Sequence, residues 1–183
     1  MKRIESSART ATFVGSHQGR VRVGVIGAGV FGGYHAQKFA SSEHAEFVGI
    51  FDLNAEAAAK QIAKVGKGEV FSSFEAIADA CDALVIATPA SSHAMLTRKA
   101  LEAGTHALLQ KPLALAGVDA RALAKLELDR ALVRSVGHQE RLVFQAMGLF
   151  ATGERPKRVE AVRMGPASPD GRCEDVSVVF DLM

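Results

Sequence analysis

The sequence predicts an α/β fold, a doubly wound parallel sheet with helices on both faces. Three observations carry this: short β-branched runs recur along the chain, helix-spaced segments separate them, and the turns between are brief. A parallel sheet requires that alternation, because each strand must be followed by a crossover that returns the chain to the starting edge.

The elements follow in order. Val21, Val23, Val25 and Ile26 make a β-branched run that stops at Gly27, the pattern of a strand buried on both faces. Residues 30–40 then have helical spacing. Residues 46–52, with Phe47, Val48, Ile50 and Phe51, read as a second strand. The alanine-rich stretch 54–65 has high helix propensity and stops at Gly66, a natural C-cap. Residues 69–71 give a short third strand, and Ser72 with Glu75 has the spacing of a capping box. Residues 83–87 (ALVIA) form the fourth strand, and Ser91 or Ser92 caps a helix that runs to Ala103 and stops at Gly104. A fifth strand over 106–109, a helix over 120–129 and a sixth strand over 131–136 complete the alternation.

After Gly137 the pattern changes. Residues 140–150 look helical, Arg155 and Pro156 mark a break, 159–164 alternate as a strand, and 165–171 (GPASPDG) are a loop. One strand makes no stable sheet alone, and a piece of about 40 residues is near the lower limit for independent folding. The expected organisation is a flexible tail over 1–19, a nucleotide-binding domain over 20–137, and the incomplete start of an α+β substrate and oligomerisation domain over 138–183. On this reading the chain is cut short.

Composition narrows the function classes. The 183 residues are 48% apolar and 23% charged, with a formal net charge of +2, too small to argue for a nucleic-acid partner or a membrane surface. No apolar run approaches the roughly 20 residues of a membrane helix, and the first 19 residues lack the apolar core of a secretory signal. Cys81 and Cys173 stand far apart and outside any C-x-x-C pattern, which argues against a disulfide framework or structural zinc and fits a reducing cytoplasm. Cys81 reads as a small buried apolar residue. His17, His35, His44, His106 and His138 show no metal-ligand spacing, so no metal site is expected.

The first motif with chemistry is Gly27-Ala28-Gly29-Val30-Phe31-Gly32, a G-x-G-x-x-G turn that follows a β-branched strand and opens a helix. That context turns a common glycine pattern into the fingerprint of a Rossmann dinucleotide site. Gly27 allows the tight turn, Gly29 lets a pyrophosphate approach the backbone, and Gly32 lets the helix pack on the strand. Amides at the helix start, where Val30 and Phe31 lie, then face the phosphates. Asp52 lies 20 residues beyond Gly32, at a strand end, where a carboxylate accepts from the adenosine ribose hydroxyls. It would also repel the 2′-phosphate of NADP, by roughly 1–4 kcal/mol for unit charges about 4 Å apart. Leu53 and Asn54 follow, with no Arg to receive that phosphate, so NAD is favoured over NADP. Helix capping is an alternative role for Asp52, compatible with the first.

Further along come Thr88-Pro89-Ala90-Ser91-Ser92-His93, Leu101-Glu102-Ala103-Gly104, Gln110-Lys111-Pro112, Val136-Gly137-His138-Gln139-Glu140-Arg141, and finally Asp181-Leu182-Met183. In this order they resemble the glucose–fructose oxidoreductase/inositol dehydrogenase/MocA family of nicotinamide-dependent sugar oxidoreductases, with its T-P-x-x-x-H, L-x-x-G-K-H-V and E-K-P motifs. The resemblance spans nearly everything from Val21 onward. It implies that Lys111 lies near the nicotinamide and takes part in proton transfer; read apart from the surrounding motifs, a lysine at this strand end is equally a solvated surface charge. Thr88, Pro89 and His93 would line the ribose and nicotinamide end, with Gln110 and Gln139 beside them. For His93, packing or capping its own helix is an equal alternative.

Two departures from the family pattern stand out. Gln110 replaces the usual Glu, which removes a negative charge beside Lys111. Asp181 matches the Asp of a D-x-x-x-H motif, whose His would lie four residues on, past Met183; such spacing puts both groups on one helix face. Without that His a general acid–base partner is missing. The expectation is an NAD-dependent oxidoreductase acting on a sugar, polyol or nucleotide-sugar hydroxyl, a homo-oligomer at full length. The 183 residues should bind cofactor and turn over poorly. The ending VVFDLM looks like family members that oxidise the 3-hydroxyl of nucleotide-linked amino sugars. The rival reading is a non-enzymatic NAD-binding sensor or scaffold.

Overall fold

The computed structural model describes residues 19–138, together with Val143, Ala146 and Met147. Six strands form one sheet: β1 (Val21–Ile26), β2 (Ala45–Phe51), β3 (Glu69–Val70), β4 (Ala83–Ile86), β5 (His106–Gln110) and β6 (Arg134–Gly137). Their order is β3-β2-β1-β4-β5-β6 and every pairing is parallel. Helices α1 (Val30–Ala40), α2 (Ala55–Val65), α3 (Phe74–Ala80), α4 (Ala90–Glu102) and α5 (Gly117–Arg130) make the crossovers. The predicted α/β doubly wound sheet is the observed one. The readings over 140–150, 159–164 and 165–171 lie outside the described residues.

The core divides by the pleat of the central strands. On one face Val23, Val25, Ile50 and Val85 meet Ala36 of α1 and Ala58 of α2. On the other, Ile26, Leu84 and Ile86 meet Phe74 and Ile77 of α3 and Ala100 of α4. Neighbours on β4 thus bury to opposite sides, which is why its sequence is a continuous apolar run. Cys81 caps α3 at 6% exposure, packed in this second cluster, and burial pushes its thiol pKa up to about 12. An inert apolar role follows.

Several boundaries differ from the sequence reading. Strand β2 runs Ala45–Phe51 because its register with β1 ends at Ile26 opposite Phe51, leaving Asp52 in the following loop. The edge strand β3 keeps only the two residues that pair with Gly49 and Ile50. Ser73, not Ser72, caps α3, its side chain accepting from the Ala76 amide at 3.1 Å. Pro89 is the N-cap of α4, so Ser91 and Ser92 fall inside its first turn. Helix α5 starts at Gly117 rather than 120, because the Ala116 carbonyl already accepts from Asp119 and Ala120. Ala131 ends α5 in the left-handed region at φ 53°, which delays β6 to Arg134.

Candidate active site

In a parallel sheet all strand C-termini lie on one edge, and β1 and β4 are the neighbours from which the chain winds in opposite directions. Loops that leave this switch point diverge and open a crevice. Gly27, Asp52, Thr88 and Lys111 each follow the end of a strand there, after β1, β2, β4 and β5. The topology therefore collects residues that are up to 84 positions apart in sequence (111 minus 27).

The glycine turn is built as its spacing predicts. Gly27 has φ 102°, and a Cβ on it would lie 2.7 Å from the Ala87 carbonyl oxygen. Gly32 is buried, and a Cβ there would overlap the Gly27 carbonyl oxygen. Gly29 is the opposite case: nothing lies within 4 Å of its would-be Cβ. It is the N-cap of α1, with no side-chain cap and no acidic residue in the first turn. The first amides of a helix have no intrahelical acceptor, so this end offers donors and a positive dipole end to an anion. The Val30 and Phe31 side chains are 67% and 48% exposed on that end.

Asp52 is committed to the same turn. Its Oδ2 accepts from the Ala28 amide at 2.6 Å and its Oδ1 from the Asn54 amide at 2.8 Å. Each carboxylate oxygen has a second lone pair, which leaves capacity for ribose hydroxyls. The capping alternative falls to Asn54, the N-cap of α2, whose side chain accepts from the Ala57 amide at 3.1 Å. Leu53 is 97% exposed beside it. A cavity of about 450 Å³ opens between Asp52, Phe51, Phe74, Pro89 and Leu96, apolar on its floor and large enough for a flat heterocycle.

Thr88 and Pro89 border that cavity. The Ser92 hydroxyl donates to the Pro89 carbonyl at 2.7 Å, so the 2.7 Å contact between Thr88 Oγ1 and Ser92 Oγ uses the Thr88 proton. His93 is 1% exposed. Its Nδ1 lies 2.7 Å from the Pro112 carbonyl oxygen and its Nε2 2.8 Å from that of Thr88. The ring lies between the loop after β4 and the loop carrying Lys111, where a neutral imidazole donates to one of the two carbonyls. Gln110 ends β5 at 8% exposure and Lys111 follows it, half-buried. Gln139 and Asp181 lie outside the described residues.

Two contributors escaped the sequence reading. Gln61, in mid α2, donates to the carbonyls of the glycine turn. His35, one turn along α1 from Gly32, sits 2.7 Å from Gln110 through its Nε2 and the Gln110 Nε2. An amide nitrogen only donates, so the His35 nitrogen accepts and carries no proton. Burial lowers the His35 pKa below its ordinary value, in keeping with that. Between the lowered folded value and the unfolded value near 6.5, the unfolded chain binds a proton that the fold does not. Stability should therefore fall as pH drops below about 6.5, with His106, lowered mainly by burial, adding in the same direction. Thermal melts from about pH 7.5 to about 5.5 should show a declining midpoint, and the decline should be shallower in His35→Gln. An identical slope in the two proteins would remove His35 from this account.

Residues 21–138 match the model of a family described as an oxidoreductase family with an NAD-binding Rossmann fold. The chain belongs to this family. It is 38% identical over 164 residues to the UDP-N-acetylglucosamine 3-dehydrogenase of Acidithiobacillus ferrooxidans, a match covering 89% of this chain and 51% of that protein. It is 31% identical over 161 residues to an inositol 2-dehydrogenase of Rhodococcus erythropolis, covering 82% and 46%. Among solved structures, the Acidithiobacillus enzyme superposes with a TM-score of 0.69 at 37% identity, over 73% of this chain and 43% of that one. GenD2 from gentamicin A biosynthesis, in complex with NAD, gives 0.66 at 27% identity, over 77% and 42%. The chain spans about half the length of the curated relatives it matches. None of the described helices is long and apolar enough to cross a membrane.

Proposed function

We propose that this oxidoreductase-family chain binds NAD in preference to NADP, and that the protein moves a hydride between NAD and a hydroxyl-bearing carbon of a sugar, polyol or nucleotide sugar. The observation that carries the reading is that Lys111 follows β5 on the same sheet edge as the uncapped start of α1. The pyrophosphate would lie on the amides after Gly29, the adenosine ribose against Asp52 and Leu53, and the adenine in the cavity beside Phe74. Thr88, Pro89, Gln110, Gln139 and the edge of the His93 loop would border the nicotinamide half. The nicotinamide supplies the redox chemistry when bound. Lys111 and Asp181 would hold and release the hydroxyl proton at the reacting carbon. Likeness to the UDP-N-acetylglucosamine 3-dehydrogenase makes a nucleotide-linked amino sugar the first substrate to try, with inositols and simple sugars next.

By this reading, 20–137 is the cofactor domain and residues from 138 onward begin a substrate and oligomerisation domain, in a cytoplasmic homo-oligomer. For the 183 residues we propose cofactor binding, carried by the uncapped start of α1 and the Asp52 carboxylate beside it. A non-enzymatic NAD sensor is the second reading, favoured by the neutral Gln110–His35 pair where the family places a carboxylate.

Fluorescence titration decides the cofactor. The wild type should bind NADH at least about tenfold more tightly than NADPH, from the charge repulsion at Asp52. Asp52→Ala should lose most of that preference and some NADH affinity, because the Ala28 and Asn54 amides lose their acceptor. Equal affinity of the wild type for both would end the NAD assignment. Reduction of NAD followed at its absorbance with each sugar class separates enzyme from sensor.

A further inference from the structure

We infer that Gln61 is a positioning residue of the dinucleotide site, one that aims the two pyrophosphate-binding amides without touching the cofactor itself; this rests on the proposed dinucleotide reading. Its side-chain amide donates to the Ala28 carbonyl at 3.0 Å and reaches the Gly29 carbonyl at 3.4 Å. A trans peptide holds its C=O and N–H antiparallel. Fixing the Ala28 oxygen therefore fixes the direction of the Gly29 N–H, and fixing the Gly29 oxygen does the same for the Val30 N–H. Those are the amides at the uncapped start of α1.

The other side of the turn is held independently. Asp52 accepts from the Ala28 amide at 2.6 Å, so Ala28 is gripped at its N–H by the loop after β2 and at its C=O by α2. Room for the Gln61 side chain comes from Gly33, where a Cβ would lie 2.7 Å from the Gln61 Oε1. The arrangement matters because a glycine turn has more backbone freedom to lose than any other segment. A turn already held in the binding geometry does not lose that freedom when the diphosphate arrives, which is how preorganisation becomes affinity. Gln61 also keeps two carbonyl oxygens occupied on the α2 side, so their partial negative charge is turned from the anion.

The test measures Kd for NADH and for adenosine, by NMR titration, in the wild type, Gln61→Leu and Gln61→Glu. Adenosine occupies the Asp52 side and has no pyrophosphate. Gln61→Leu should weaken NADH about tenfold, a typical scale for losing loop preorganisation, while adenosine affinity stays within about twofold. Gln61→Glu should weaken NADH further, since a carboxylate facing two carbonyl oxygens repels them and the diphosphate alike. An equal loss for adenosine and NADH would make Gln61 a merely structural residue and overturn the inference, as would unchanged NADH affinity in both variants. Absence of NADH binding by the wild type would instead overturn the dinucleotide reading, and this inference with it.

Discussion

Gly32→Ala should destabilise the protein by about 3 kcal/mol or more, the upper range for overpacking at a site that cannot relax. The added carbon meets the carbonyl oxygen of Gly27, and that oxygen cannot retreat. Gly27 is itself held in the left-handed region, with its amide donating to the Phe51 carbonyl at 2.8 Å. Relief would require α1 to lift from the sheet, which unpacks Ala36 from Val25 and Val85. Gly29→Ala is the matched contrast. Its backbone is extended, nothing crowds its Cβ, and the protein should keep its thermal midpoint while losing NADH affinity, because the methyl projects where the pyrophosphate must lie. Denaturant melts and NADH titrations on the pair separate the roles. A Gly32→Ala protein as stable as the wild type would show that the helix and turn are not in the contact described.

Lys111→Met should lower the rate of hydride transfer by about 10²–10⁴, the usual contribution of one positioned acid–base group. Methionine preserves most of the aliphatic stem and removes the ammonium, so NADH affinity should change little. The loss should appear in kcat and kcat/KM together, as expected for an interaction made in the transition state. Assays use the whole protein with whichever sugar supports turnover. Retention of wild-type kcat would take the proton step away from Lys111 and leave it a binding charge. Loss of NADH affinity with unchanged kcat would move its role to the cofactor.

The glycine spacing and the acidic residue one strand later were legible because each is set by local chain geometry, whereas Lys111 stood out only through the family resemblance of the motifs around it. A strand–turn–helix needs Gly27 and Gly32 within a few residues of each other, and the strand period leaves Asp52 at the β2 end. Capping was less legible. Ser72 and Ser73 have equal propensity, and the choice falls to where α3 must start for Phe74 and Ile77 to reach the core. Ser91 and Ser92 lost the cap of α4 because Pro89 already has the extended backbone the position needs.

From composition and spacing alone, this protein's sheet, crossovers and anion-binding turn could be written down, since β-branched runs, glycines and helix formers act over a few residues. Tertiary structure alone decided that Gln61 holds the turn, that Gln110 meets His35, and that His93 lies between two loops. Those partners stand 33, 75 and 19 residues apart. No local preference encodes such contacts. They exist because parallel strands bring distant loops to one edge, where buried polar atoms must find partners or stay out of the fold.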